Sequence, residues 1–223
     1  MASLPDHLMP ASGKLPPLPR EVRIEHQRRH VIDAASVVFA KRGYPGTTID
    51  HIVAAARIGF ASFYDLFDGK EDCFLQAYER IVKRAWQEIA AAVPAEAPWT
   101  EQVCAALRAV LAAIAAAPLE ARLALVEVQT AGPRALARYE QTHDALVPLL
   151  RRGRELGPRA AELPATLEEA TIGGVAWLLH QRLVMGEVEE IEGLYPELVE
   201  IVLGPYLGEE RAAELAAAPP PPA

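Results

Sequence analysis

The chain has 223 residues, just over half of them apolar, with 22 Lys/Arg against 30 Asp/Glu and a formal net charge of -8. That length and apolar content give a globular chain with one large core or two small ones, and they exclude a disordered or fibrous protein. Two cysteines, Cys73 and Cys104, exclude a disulfide scaffold and point to a reducing compartment, with two buried thiols as the ordinary expectation.

The charge is uneven. Residues 1–70 hold nine Lys/Arg against seven Asp/Glu, whereas 71–223 hold thirteen against twenty-three. A mildly basic N-terminal end on an acidic body is the pattern of a contact end and a non-contact body. The N-terminus shows no basic patch followed by an apolar run, and the longest apolar stretch, Ala109–Leu119, is too short for a bilayer span of about 20 residues. The expected location is therefore cytoplasmic, with no membrane partner.

In chain order, residues 1–20 carry Pro5, Pro10, Pro16, Pro17 and Pro19 and read as a disordered Pro-rich arm. Glu25–Arg42 places Ile32, Ala35 and Phe39 on one stripe, flanked by Val31 and Val38, with Arg28, Arg29 and Lys41 off it; this predicts an amphipathic helix stopped by Gly43. Thr47 or Thr48 starts a second, short helix, and Thr47 with Asp50 three residues on fits a capping box. After a break at Arg57–Gly59 comes a third short helix through Ser62–Phe67, ended at Asp68 or Gly69. A long helix follows from Lys70 to about Ala92.

Beyond Pro94–Pro98, further helices are expected near 100–116, 119–130, 134–155, 166–185 and 195–207. Pro118, Gly132-Pro133, Gly157-Pro158, Pro164 and Gly186 punctuate them, and Pro148 should kink or split the third. Ala216–Ala223 reads as a frayed tail. No period-two alternation occurs, so the fold class is all-α. The expected division is an arm over 1–20, a head over 21–69, a body over 70–208 and a tail over 209–223.

A long helix followed by two short ones across a break of about three residues is the layout of a helix-turn-helix, in which the last helix enters the major groove. Phe63 and Phe67, four apart, should face the small head core. Tyr64 should point outward, where its hydroxyl can reach a phosphate. Thr48 offers a hydroxyl and free backbone N–H groups to another phosphate, and Lys70 a charge. Phe60, Ala61, Ser62 and Asp65 are left to read base edges, through thymine methyls or a cytosine amine, and Arg57 to reach phosphate or guanine.

The stretches "GYPGTTIDHIVAAA" and "FASFYDLFDGKEDCFLQAY" resemble the DNA-binding domain of TetR-type transcriptional regulators, over about Gln27–Tyr78. Phe39, Gly43, Thr48, Ile52, Phe63, Tyr64, Phe67, Lys70 and Glu71 carry the likeness, and "ELVEIVLGPYLG" is similar to the last helix of many members. The resemblance implies a three-helix helix-turn-helix head followed by a helical-bundle body that dimerises and binds an effector. It implies DNA contacts from Thr47, Thr48, Arg57, Gly59, Phe60, Ala61, Ser62, Tyr64, Asp65 and Lys70. The chain departs from the family pattern at Arg57, where Gly is usual, at Gly59, where a Ser-like cap is usual, and at Asp65.

For the homodimer, the stripes Ile172, Val175, Ala176, Leu179 and Leu183 in 166–185, and Leu198, Ile201, Val202 and Tyr206 in 195–207, are expected to form a four-helix interface. For a small apolar or aromatic effector, Trp99, Leu107, Leu111, Val126, Tyr139, His143 and Trp177 are the candidate pocket walls, with ordinary core packing the alternative for each.

His26 and His30 are spaced for a metal but lack a third ligand, and no catalytic motif appears. Neither enzyme activity nor a cofactor or metal is expected. The expected function is a dimeric repressor that binds a palindromic operator and is released when an effector tilts the long Lys70–Ala92 helix. The alternative is a helical small-molecule-binding protein with degenerate operator binding.

Overall fold

The computed structural model describes residues 19–156, 160 and 162–218, and all the regular structure among them is helical. The helices are α1 (Arg20–Arg42), α2 (Ile49–Ala56), α3 (Phe60–Tyr64), α4 (Lys70–Ala92), α5 (Trp99–Ala116), α6 (Pro118–Leu125), α7 (Pro133–Asp144), α8 (Val147–Arg151), α9 (Leu167–Met185), α10 (Tyr195–Leu207) and α11 (Glu209–Ala217). Short 3-10 turns fill Glu127–Thr130, Arg152–Leu156 and Ile191–Leu194.

Helix α1 begins five residues before the expected start, directly after Pro19, whose carbonyl accepts from Arg23 N at 3.1 Å. It buries Val31, Ile32, Ala35, Phe39 and Ala40, and Gly43, at φ 73°, ends it. The 134–155 segment is divided as Pro148 requires, into α7, α8 and a 3-10 turn. Glu209–Ala217 is not tail but a helix, because Ala212 and Ala216 pack on α10 and the Trp99 end of α5. The proposed arm over 1–18, the Gly157-Pro158 break and residues 219–223 lie outside the described residues.

Three apolar clusters hold the chain together. The first joins α1, α2, Phe63, Leu66 and Phe67 to Cys73, Phe74, Ala77 and Tyr78 of α4, and it continues into Leu123, Val128, Ala131 and Ala135. The head core therefore does not stop at residue 69; α6, the 127–130 turn and the start of α7 complete it. The second cluster gathers Trp99, Val103 and Cys104 against Val199, Val202, Leu203 and Tyr206. The third packs Leu111 and Ile114 against Leu179, Leu183, Ile191 and Leu198.

Helix α5 is longer than the apolar run read from sequence. Its 18 residues, with a mean hydropathy of 1.2, are long and apolar enough to cross a membrane by length and composition. In this fold it is a core helix: Trp99, Val103, Cys104, Leu111 and Ile114 are buried against the other helices.

Among the described residues the body buries one acid completely, Glu168. Arg154 grips it from two sides, Nε to Oε1 at 2.7 Å and Nη2 to Oε2 at 2.9 Å, and the Tyr206 hydroxyl donates to Oε1 at 2.9 Å. The Arg154 bonds hold the Glu168 carboxyl below its ordinary range. A depressed folded-state value stabilises the fold above the unfolded carboxylate range, near pH 4.3, and that contribution is lost as pH falls through the folded value. Glu168→Ala should cost about 3 kcal/mol by stranding Arg154. Glu168→Gln should flatten the acid limb of stability below about pH 4. Urea unfolding across a pH series reads both.

Candidate DNA interface

Helix α2 is capped by Thr48, whose Oγ1 accepts from His51 N at 3.3 Å while His51 Nδ1 accepts from Thr48 N at 3.2 Å. The capping box thus pairs Thr48 with His51, not Thr47 with Asp50. Thr47 itself is buried, 1% exposed, and its hydroxyl donates to Gly43 O at 2.7 Å. It locks the α1–α2 turn from inside, so its side chain presents no surface to a phosphate.

Helix α2 ends in a Schellman turn: Arg57 N donates to Ala54 O at 3.3 Å and Ile58 N to Val53 O at 3.1 Å. The residue in the left-handed position is Arg57, at φ 54° and ψ 45°, where glycine is favoured; among the described residues it is the sole non-glycine with positive φ. Gly59 then caps α3 at φ -85°, in ordinary extended backbone.

The recognition helix is Phe60–Tyr64, two residues earlier than the expected Ser62–Phe67, because the Phe63 carbonyl accepts from both Leu66 N and Phe67 N and turns the chain. Phe63 and Phe67 are buried with ring centres 5.2 Å apart. Phe60, Ala61, Tyr64 and Asp65 are exposed, Tyr64 at 58%, and Ser62 is half-buried. Arg28 of α1 braces this helix: its Nη1 donates to Leu66 O and its guanidinium lies 5.4 Å from the Phe67 ring centre.

Lys70 is placed differently from a free phosphate-seeking cation. Its Nζ donates to Tyr44 O at 3.0 Å and Thr47 O at 2.9 Å and sits 4.1 Å from the Tyr44 ring centre. Burial pulls its pKa down. Its first task is to clamp the α1–α2 turn, which leaves at most its third N–H for DNA.

Two carboxylates join this head to the body. Glu127, 5% exposed, accepts from Tyr44 N at 2.8 Å and faces Arg122 Nε at 3.3 Å. Glu71 Oε1 accepts from Arg134 N at 3.2 Å, and a Cβ on Gly132, at φ 112°, would stand 2.8 Å from that oxygen. Glycine is needed there for both its φ and its lack of side chain. Sequence reading missed both joints.

The seven expected effector residues do not converge. Trp99 packs on Tyr206 at 5.2 Å between ring centres and donates to Leu149 O at 2.9 Å. Leu111 and Val126 belong to the third cluster, and Leu107 packs against both the second and the third. Tyr139 and His143 meet edge to face with ring centres 4.1 Å apart, and burial pushes Tyr139 up and His143 down. Trp177 is 60% exposed on the outer face of α9. Apolar periodicity marked them, but they serve separate cores. A cleft of about 270 Å³ lies elsewhere, between α4 and α7, lined by Tyr78, Val82, Lys83, Trp86, Arg138 and Thr142 among others. His30 is also accounted for: its Nε2 is 3.0 Å from Ala56 O, a helix-to-helix bond.

Residues 31–77 match the family model described as bacterial regulatory proteins, tetR family. The match runs from within α1 into α4, about a fifth of the chain. Among curated relatives it is 29% identical over 85 residues to the HTH-type regulator YhgD of Bacillus subtilis, covering 38% of this chain and 44% of that one. The chain thus spans less than half the length of that relative. Its fold is that of the fatty acid degradation regulator FadR from Bacillus halodurans, with a TM-score of 0.70 at 19% identity over 86% of this chain and 97% of the other. FadR from Bacillus subtilis, solved in complex with stearoyl-CoA, matches with a TM-score of 0.60 at 16% identity over 81% and 98%. The match thus covers the three-helix head and the start of α4, and the helical body behind it shares the fold of the solved tetR-like regulators.

Replacing Arg57 with Gly removes the left-handed strain and should raise stability by about 1 kcal/mol. If the guanidinium also meets DNA, the same variant binds duplex more weakly. Urea unfolding and a DNA titration on the same sample separate the two effects.

Proposed function

We propose that the protein is a dimeric transcriptional repressor that binds a palindromic operator through α3 and is released by an apolar effector. The observation that carries the regulatory part is the double role of α4 and α7. Their midsections wall the α4–α7 cleft, and their N-terminal ends, Lys70–Glu71 and Gly132–Arg134, hold the head. A molecule that spreads the two helices acts directly on the Glu71–Arg134 joint. It releases DNA only if it binds the spread state better.

The cleft joins apolar Val82 and Trp86 to Lys83 and to an Arg138–Glu79 ion pair, Nε to Oε1 at 2.8 Å, so that Lys83 is its unpaired cation among the lining residues. That suits an amphipathic molecule with an apolar part and an anionic end. Since Bacillus subtilis FadR was solved with stearoyl-CoA, acyl-CoA thioesters are the first class to test.

Site roles follow the exposed surface. Tyr64 reaches a phosphate, Thr48 supplies the helix N-terminus, and Phe60, Ala61, Ser62 and Asp65 face base edges. Gly59 lets the backbone approach, and Arg57 adds charge.

The dimer is proposed through α9 and α10, on a face that shares Ile201 alone with the expected stripes. Ile172, Ala176, Leu179, Leu183, Leu198, Val202 and Tyr206 are buried within the chain, and Val175 is partly buried in its core. The outer face carries Trp177, Val184, Met185 and Ile201, all over 40% exposed, and Gly173 and Gly174 have no neighbour within 4 Å of a Cβ position. Small residues beside large exposed apolar ones allow two helix pairs to approach closely. Two heads so joined would meet successive major grooves about 34–36 Å apart.

The test is selection of duplexes from a random pool, followed by titration with and without palmitoyl- or stearoyl-CoA. The expected result is a two-fold-symmetric site whose affinity falls in the presence of the thioester, with DNA lowering thioester affinity by the same factor. Equal affinity for every duplex contradicts the operator reading; thioester binding without any DNA binding favours the degenerate alternative, motivated by a recognition helix without a cation. Trp177→Glu should weaken dimerisation 100-fold or more, about 3 kcal/mol, by sedimentation.

A further inference from the structure

Helix α1 leaves the head before it ends. Every residue from Arg20 to Gln27 is exposed, including Val22 at 39% and Ile24 at 37%. The first residue tied down is Arg28, through Leu66 O and Gln76 Oε1, and His30 follows at Ala56 O. These eight residues, about 12 Å of helix, therefore extend from the point where Arg28 and His30 tie α1 to Leu66 O, Gln76 and Ala56 O, at the chain just past α3, the second turn of α4 and the end of α2. Two isolated turns are marginal in water, so the extension persists as an outgrowth of α1 that is exposed at every position among the described residues.

Its face is readable from spacing. Arg20, Ile24 and Gln27 continue the stripe that Val31 buries in the head, with Arg23 beside them. That face overhangs the head on the side of Leu66 and Ala56. Glu25 looks elsewhere, toward Arg29 at 4.0 Å. Arg20 and Arg23 make no ion pair among the described residues.

The helix-turn-helix needs such cations. Between Arg42 and Lys70 the one Lys/Arg is Arg57, and Lys70 is committed to Tyr44 and Thr47. Affinity for duplex DNA comes largely from neutralised phosphates, and α3 supplies no positive charge.

We infer that Arg20–Gln27 is an arm that lies along the DNA backbone flanking the site read by α3, with Arg20 and Arg23 on phosphates. It rests on the DNA-binding reading above and adds a contact surface outside the helix-turn-helix. Guanidinium forks take phosphate oxygens bidentately, and Gln27 can donate to a third oxygen. The arm positions and adds affinity; it does not choose sequence.

The experiment uses the full chain and its Arg20→Gln/Arg23→Gln double variant. Affinity is measured between about 50 and 200 mM salt for a pool-selected duplex and a scrambled one. The double variant should flatten the slope of log K against log salt by about 1.8 on both duplexes, at about 0.9 per phosphate contact, with unchanged circular dichroism and selected-to-scrambled ratio. An unchanged slope overturns the arm while leaving the head as a DNA reader; a wild-type chain that binds neither duplex overturns both. Val22→Ser/Ile24→Ser should keep the wild-type slope. If that variant instead lowers self-association and the arginine variant does nothing, the extension is a protein-docking arm and the inference is wrong.

Discussion

The Glu127 carboxylate sits where the body meets the head, and the orientation of the head depends on it. It accepts the Tyr44 amide, faces Arg122, and closes against Gly43 at the end of α1. Removing it would leave the Tyr44 amide without its acceptor and Arg122, about a third exposed, with Leu183 O alone, so the cost falls mainly on the backbone amide. Around it, Leu123, Val128, Ala131 and Ala135 complete the head core. The head is consequently not a bead on a linker. Its aim at DNA is set by packing from a segment more than 80 residues away in sequence.

Much of the head was legible because its signals are local. The α1 stripe, the inward Phe63 and Phe67 and the outward Tyr64 all follow from helical period. The capping box was misplaced because the usual pattern asks for Glu or Gln at the third position, and here His51 accepts through Nδ1. Nothing nearby in sequence shows that the Thr47 hydroxyl bonds Gly43 O and so turns away from the surface.

The body was less legible. Apolar residues at helical spacing look alike whether they fill one core, another core, a pocket or a dimer face. Leu179 and Trp177 are two residues apart in α9, yet one is buried in the third cluster and the other stands in solvent. The Glu71–Arg134 and Glu127–Tyr44 joints link residues 63 and 83 apart, beyond any periodic signal. The extra helix over 209–217 was lost in an Ala-rich stretch that composition alone could not tell from a tail.

Both thiols are buried, and burial pushes Cys73 up to about 12. A thiol so placed is hardly ever a thiolate at neutral pH, and nucleophilic attack needs the thiolate. The native chain thus offers maleimide dyes and spin labels little to react with. A single cysteine introduced on the rim of the head or on the outer face of α9 would carry a reporter at one known point, against a silent background.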